Sequence, residues 1–371
     1  MRLADTHLGT TLKRISSHLT PKPESPLMTD QLRLGLIGLT HDHIWDHLPD
    51  VLASDRIDLR AAAEPNLTLC KQLAKHTDCA TVSNWKELID SGSVDAVFIY
   101  SDNRSGSEAA VAALEAGLHV MIEKPMAADY ASACQMHDAA SAGNAKLMIN
   151  WPFCWWPQMQ EALRRLNEGI IGRVWQVKYR AAHAGPAELG CSDAFCEWLF
   201  DEQLNGGGAM MDYCCYGTTL ARTILGQPEQ VVGISGQLCK DHLSVDDNAI
   251  IVMRGANSMA TAEASWTQVG KLTSYTTAIY GTSGTLMIEP RHGGRLLLAT
   301  EADPTGSPLE IRDQPRFLQN ATEHFLHHLS SSDDLLPLCQ SSICRDSQEI
   351  LEAGGLSMKS GATVPLPLEA P

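Results

Sequence analysis

The chain has 371 residues, enough for two domains at roughly 100–200 residues each. Its 28 Lys and Arg against 44 Asp and Glu leave a net charge of −16, which repels phosphate backbones and anionic lipid and argues against nucleic-acid or membrane partners. Hydrophobic residues at 44% suffice for ordinary cores, charged residues at 19% are too few for a disordered chain, and no apolar run approaches the ~20 residues of a membrane-spanning helix.

Residues 1–30 carry Thr, Ser, Pro and Lys without a sustained period and read as a flexible leader, with Met28 a candidate start. From Leu32 the chain alternates. Leu34–Gly38, Ile57–Ala63, a weak stretch near Thr81, Asp95–Tyr100, His119–Ile122 and Lys146–Ile149 read as strands. His43–Ala53, Leu67–Lys75, Trp85–Ile89, Glu108–Ala116 and Ala131–Ala142 read as the helices between them, and Gly117 ends the fourth as a left-handed stop. Such alternation predicts an α/β, doubly wound domain over residues 31–150, a parallel sheet with helices on both faces. After Trp151 the pattern changes to an α+β domain over residues 151–371. Its helix Met159–Asn167 ends at Gly169. Strands then follow at Arg173–Ala182, Gln230–Leu238, Ala249–Arg254, Ser258–Ser265, Thr273–Tyr280 and Gly284–Ile288. Short turns between them predict a mainly antiparallel open sheet. Met210–Leu225, Phe317–Leu329 and Ser347–Lys359 read as helices.

Eleven cysteines are about 3% of the chain, well below a disulfide scaffold. None forms a Cys-x-x-Cys pair, and no apolar signal segment opens the chain. The expectation is free thiols in a reducing cytoplasm.

The first strand runs into Gly38-Leu39-Thr40-His41-Asp42-His43 and then a helix, the place where a doubly wound fold sets a phosphate turn under helix N–H groups. Only Gly38 of the usual glycines is present; Thr40 and His43 hold the second and third positions. Glu64, in Ala63-Glu64-Pro65-Asn66, ends the second strand where an acidic residue accepts ribose hydroxyls and repels a 2′-phosphate, favouring NAD over NADP. Gly38 as a plain strand end and Glu64 as a solvated turn residue is the alternative. His41-x-His43 is also how metal-dependent amidohydrolases present two ligands. The further ligands such a barrel needs have no counterparts, so the histidines read as surface or phosphate-turn residues and no metal is expected.

Glu123-Lys124-Pro125 follows a strand at its carboxyl end, where Lys124 would meet a substrate hydroxyl and Pro125 sets the turn, a position that admits a cis bond. Gly206-Gly207-Gly208 precedes Met210-Met211-Asp212-Tyr213-Cys214-Cys215-Tyr216. Asp212 and Tyr216 are four apart and share a helical face, suited to a polyol, or else to a helix-dipole carboxylate beside a packed ring.

In this order the Gly38 turn, Glu64, Glu123-Lys124-Pro125 and Gly-Gly-Gly-x-x-x-Asp-x-x-x-Tyr resemble the glucose–fructose oxidoreductase/inositol dehydrogenase/MocA family over residues 32–365. Gly169-Ile170-Ile171-Gly172-Arg173-Val174 is similar to the entry into that family's second sheet. The resemblance implies an NAD-binding Rossmann domain and a second domain whose open sheet forms homo-oligomer contacts, in a dimer or tetramer. It implies an NAD(P)-dependent enzyme moving a hydride between nicotinamide and a carbinol carbon of a sugar, inositol or related hydroxy compound. Lys124 would polarise the reacting oxygen and Asp212 orient the substrate. Tyr216 stands where most members carry His and would serve as acid/base, provided the Lys124 ammonium and the positive nicotinamide lower its pKa from ~10 towards neutrality. Gly38, Thr40, His41, His43, Glu64, Ser101, Asn103, Glu123 and Lys124 would line the cofactor; Lys124, Trp155, His183, Asp212 and Tyr216 would meet substrate.

The chain departs from the family pattern at the phosphate turn and at Ser101-Asp102-Asn103-Arg104-Ser105-Gly106, which keeps Asn103 but has Gly106 in place of His. Trp155-Trp156 would stack on a sugar face or pack the domain junction, with packing favoured. Arg180, His183 and Trp198 are substrate candidates with core-edge alternatives. Three other readings stay open: NAD-dependent glycoside cleavage, a non-catalytic sensor on the same fold, and a metal-dependent hydrolase. Metal analysis tests the hydrolase and a polyol turnover panel tests the sensor, whereas the sequence does not separate glycoside cleavage from simple dehydrogenation.

Overall fold

The computed structural model describes residues 31–369, so the leader expected over 1–30 lies outside the described residues. Six strands form the first sheet: β1 (Leu32–Ile37), β2 (Ile57–Ala63), β3 (Ala80–Val82), β4 (Ala96–Ile99), β5 (His119–Glu123) and β6 (Leu147–Asn150). All pair in parallel, in the order β3-β2-β1-β4-β5-β6. β4 and β6 are buried at every residue, as strands covered on both faces must be. The chain winds outward from β1 to β3 and then returns to β4 on the other side of β1. The crevice at the carboxyl ends of β1 and β4 is therefore the switch point where ligands bind such sheets.

The intervening helices follow the sequence pattern closely, with one difference. The fourth helix starts at Asn103 rather than Glu108, because Asp102 caps it by accepting the Ser105 N–H at 2.8 Å. Its polar first turn carries no apolar period and hides it from a pattern search.

The second sheet has nine strands: β7 (Val174–Ala182), β8 (Gln230–Gly236), β9 (Asn248–Arg254), β10 (Met259–Ser265), β11 (Tyr275–Gly281), β12 (Thr285–Ile288), β13 (Leu296–Ala299), β14 (Ser307–Pro308) and β15 (Val364–Pro365). Their order is β14-β13-β12-β11-β7-β10-β9-β8-β15, with only β7 and β10 parallel. The last three strands escape the sequence because they are short and lack alternation. Helices Cys215–Leu225 and Ser341–Ser360 cover one face. The other stays open, and Ile234, Ile250, Val252, Met259 and Met287 are exposed on it.

The segment expected as one helix over Met210–Leu225 opens with a wider π-type turn, Met210–Cys214, before the α-helix begins. The glycines ahead of it serve the protein's own backbone. A Cβ on Gly206 would lie 2.0 Å from the Ala128 carbonyl oxygen, and one on Gly208 2.0 Å from that of Asp246. Late in the chain, helix Ala321–Ser330 returns to the first domain. Phe325 meets Phe98 with ring centroids 5.3 Å apart, and Arg56 donates to Glu323 at 2.6 Å. The segment 321–340 thus completes the core of a domain expected to end at residue 150. Three short helices missed by the sequence, Pro186–Leu189, Asp193–Leu199 and Glu202–Asn205, follow β7 towards the crevice.

Candidate active site

Lys124 is the first residue after β5, and Asp212 lies in the turn after the three glycines. Folding brings Lys124 Nζ to 2.8 Å from Asp212 Oδ1, with both side chains buried. The other oxygen of Asp212 accepts the indole N–H of Trp266 at 3.2 Å. Trp266, just past β10, carried no signal in the sequence. Burial alone would lower the Lys124 pKa, but the Asp212 charge and hydrogen bond outweigh it and hold the ammonium above its ordinary value. The Lys124-Pro125 bond is cis.

Tyr216 joins this corner, but not as a phenolate. Its ring stacks on Tyr179 at 5.8 Å and meets Trp151 and Phe153 edge-on. Lys124 Nζ sits 5.2 Å from its ring centroid, a cation–π contact. Burial, then the nearby Cys215 and Asp212, push the phenol well above its ordinary value, so the protein's own groups, Lys124 included, do not bring it towards neutrality. His183 stands close by against Tyr213, with ring centroids 5.1 Å apart. Its Nδ1 accepts the Gly185 N–H at 2.9 Å, so the neutral ring carries its proton on Nε2. Burial lowers its pKa and keeps it neutral.

At the other end of the crevice, Gly38 has φ +76, and a Cβ there would meet the Ser101 Cβ at 2.7 Å, so the ends of β1 and β4 close up as glycine permits. Glu64 does not reach outward as expected. Its Oε2 accepts the Leu39 N–H and its Oε1 the Asn66 N–H, each at 2.7 Å, so the carboxylate braces the turn from below. Burial raises its pKa against those two bonds. The second domain roofs the turn. Trp198 Nε1 donates to the Thr40 carbonyl at 3.3 Å, Asp42 accepts from the Ser192 N–H at 2.7 Å and hydroxyl at 2.6 Å, and Phe195 and Trp198 lie on the His41 ring.

Glu123 is buried among histidines. His43 Nδ1 lies 2.9 Å from its Oε2, and His47 Nδ1 lies 3.3 Å from its Oε1. Asn150 Nδ2 donates to Oε1 at 2.6 Å, and Trp155 Nε1 donates to Asn150 Oδ1 at 2.8 Å. Burial would raise the Glu123 carboxyl, but His43, His47 and His41 hold it below the usual carboxylate range. Trp155 is therefore a buried prop behind Glu123 rather than a sugar platform. Asn103 is also turned inward, its amide donating to Asn205 Oδ1 at 2.8 Å. Arg180 pairs with Glu263 on the second sheet, away from this corner. Ser101 stays half-buried at the crevice, donating only a long 3.4 Å bond to the Asp102 carbonyl.

A dinucleotide fits this turn in one specific way. Among the described residues the N–H groups of Thr40 and Asp42 have no hydrogen-bond partner, and they adjoin the start of helix His43–Ala53. They are the donors left for a diphosphate.

Residues 32–151 match the model of an oxidoreductase family with an NAD-binding Rossmann fold, and residues 159–287 match the GFO/IDH/MocA C-terminal domain. The chain belongs to the GFO/IDH/MocA oxidoreductase family. It is an NAD(P)-dependent oxidoreductase acting on CH–OH groups, and its nicotinamide cofactor is held by the Rossmann domain. A levoglucosan dehydrogenase of Pseudarthrobacter phenanthrenivorans is 25% identical over 268 residues, 66% of this chain and 68% of that protein. A dTDP-3,4-didehydro-2,6-dideoxy-alpha-D-glucose 3-reductase of Actinomadura kijaniata is 27% identical over 233 residues, 62% of this chain and 68% of that one. A solved structure of levoglucosan dehydrogenase in complex with NADH and levoglucosan superposes with a TM-score of 0.76 at 21% identity, covering 91% of this chain and all of that one. The named relatives are dehydrogenases and reductases, which supports the oxidoreductase reading and does not favour the sensor, hydrolase or glycoside-cleavage readings. No described helix is long and apolar enough to cross a membrane.

Proposed function

We propose that the chain oxidises or reduces one carbinol centre of a cyclic sugar or related polyol, with NAD preferred over NADP. The buried Lys124–Asp212 pair at the carboxyl edge of the first sheet carries this reading. The bound cofactor supplies or accepts the hydride. Lys124 rests as an ammonium and donates to the reacting oxygen, giving it a proton as the hydride arrives and regaining one from solvent, with the reverse path in oxidation. Asp212 fixes that ammonium and offsets its charge in a buried place. Tyr216, a neutral phenol, and His183, with its proton on Nε2, are hydrogen-bond donors for further hydroxyls. The sugar substrates in the names of the two relatives support the substrate class.

The Glu64 charge at the end of β2, followed by Pro65 and Asn66 rather than a cation, supports NAD over its 2′-phosphorylated form. The open apolar face around Ile234, Ile250 and Met259 supports a homo-oligomer, dimer or tetramer, that covers it. All eleven cysteines are free, which supports a cytoplasmic location.

The test is titration with NADH and NADPH by energy transfer from Trp, followed by a sugar and polyol panel. Wild type and Lys124→Ala are both expected to bind NADH more tightly than NADPH, with turnover in the wild type alone. Binding of neither nucleotide, or full turnover by Lys124→Ala, would overturn the reading.

A further inference from the structure

The histidines of the phosphate turn have no task in the chemistry above, and folding does to them what the sequence does not announce. His41 lies in the turn after β1 and His43 opens the following helix. Glu123 arrives from the end of β5, eighty residues beyond His43. One ligand atom from each lies within 4.8 Å of the other two. We propose that His41, His43 and Glu123 bind one divalent transition-metal ion, with zinc as the reference cation.

Four observations carry the proposal. His41 is 1% exposed and its Nε2 has no hydrogen-bond partner. Its Nδ1 faces only the His43 N–H, at a long 3.3 Å. A neutral imidazole has one lone pair. In either tautomer, a cation coordinated by that lone pair displaces at most this one weak bond. Second, Glu123 is already shaped as a ligand. Its Oε1 is held by Asn150 and His47, while Oε2 has only His43 as a partner. Asn150 is in turn fixed by Trp155, the kind of outer support that orients metal ligands. Third, His43 and His47 are four residues apart on one helix face, and His47 borders the group through Glu123 and the Tyr100 hydroxyl at 3.3 Å. Fourth, two imidazoles and a carboxylate suit zinc-like ions, with Zn–N and Zn–O distances of roughly 2.0–2.2 Å. The three donors need to close by about an ångström or so to share one ion.

Charge does not oppose the site. The nearest cation, Lys124, is matched by Asp212 at 2.8 Å, and the Asp42 and Glu123 carboxylates lie on the turn and strand that frame it. His43 keeps 27% of its side chain exposed and provides the entry path. The bound ion would tie the phosphate turn and the end of β5 together one residue from Lys124. The site stands independently of the dehydrogenase reading, because binding is measured without cofactor or substrate.

The protein is produced without a histidine tag, stripped with a chelator, and titrated with Zn²⁺ against a chromophoric competitor. Co²⁺ is added in parallel to read its visible absorption. One equivalent per chain that survives gel filtration is expected. It should be lost in His41→Ala and in His43→Ala but kept in His292→Ala, on an exposed loop. Asn150→Ala should weaken binding by about 10–100-fold. Failure of the stripped wild type to retain zinc would overturn the proposal. So would a full equivalent persisting in His43→Ala, a partly exposed position where folding is not at stake.

Discussion

The two ends of the crevice use polar groups in opposite ways. At the chemical end, Lys124 and Asp212 spend their charges on each other in a buried place, and the Tyr216 ring and Trp266 indole hold them there. At the cofactor end, Glu64, Asp42 and Asn103 have turned their polar atoms onto the protein's own backbone and loops, leaving few donors for a ligand. A charged pair is assembled by residue type and chain order. A phosphate turn depends on which N–H groups its neighbours leave free.

The contrast is broken most directly at Lys124. Removing the ammonium in Lys124→Ala should lower kcat by about 10²–10⁴ while NADH still binds, as steady-state kinetics and nucleotide titration will read. A loss in binding alone would move Lys124 to the cofactor end. Glu64→Ala tests the other side. It strands the Leu39 and Asn66 N–H groups at roughly 1–3 kcal/mol each, so urea denaturation should show about 2–6 kcal/mol less stability. A change confined to NADH affinity would mean that Glu64 reaches the ligand after all.

The wall behind Glu123 should make the cofactor end sensitive to acid. His324, packed on Trp155 at 5.4 Å, is held neutral, burial lowering its pKa to about 4 from an ordinary 6.5. The unfolded chain therefore binds more protons between those two values. The stabilisation is complete above the unfolded value near 6.5 and is lost as pH falls through about 4, on the order of 3 kcal/mol. Denaturation midpoints across that window should fall in the wild type and flatten in His324→Gln. The smallest effect is expected at Tyr216→Phe. A neutral hydroxyl contributes about 1 kcal/mol, so kcat/KM should drop by no more than roughly tenfold with an unchanged pH profile. Loss of a basic limb from that profile would restore the phenolate role.

The first domain could be read almost entirely from the sequence. Six short strands alternating with helices leave a parallel sheet as the economical way to pair every backbone group. The start of the helix at Asn103 was hidden because a cap acts through one polar atom and leaves no period, and the return of segment 321–340 to this core was missed because it is a long-range contact. In the second domain the edge strands Ser307–Pro308 and Val364–Pro365 were missed, since short edge strands are held by their neighbours rather than by their own pattern. The motifs around Lys124 and Asp212 could be read as chemistry, but Trp266 and Asn150 could not, because supporting residues have no spacing relation to what they support.

The sequence by itself determined the two architectures, the order of the motifs and the family, because periodicity and glycine placement are local properties. Only the tertiary structure decided which polar groups are spent. Whether Glu64 faces a ribose or two backbone N–H groups, whether Tyr216 meets the Lys124 ammonium through its hydroxyl or its ring, and whether His41 and His43 acquire Glu123 all depend on hydrogen-bond partners and burial supplied by distant segments. Over a few ångströms these outweigh what a residue type prefers on its own.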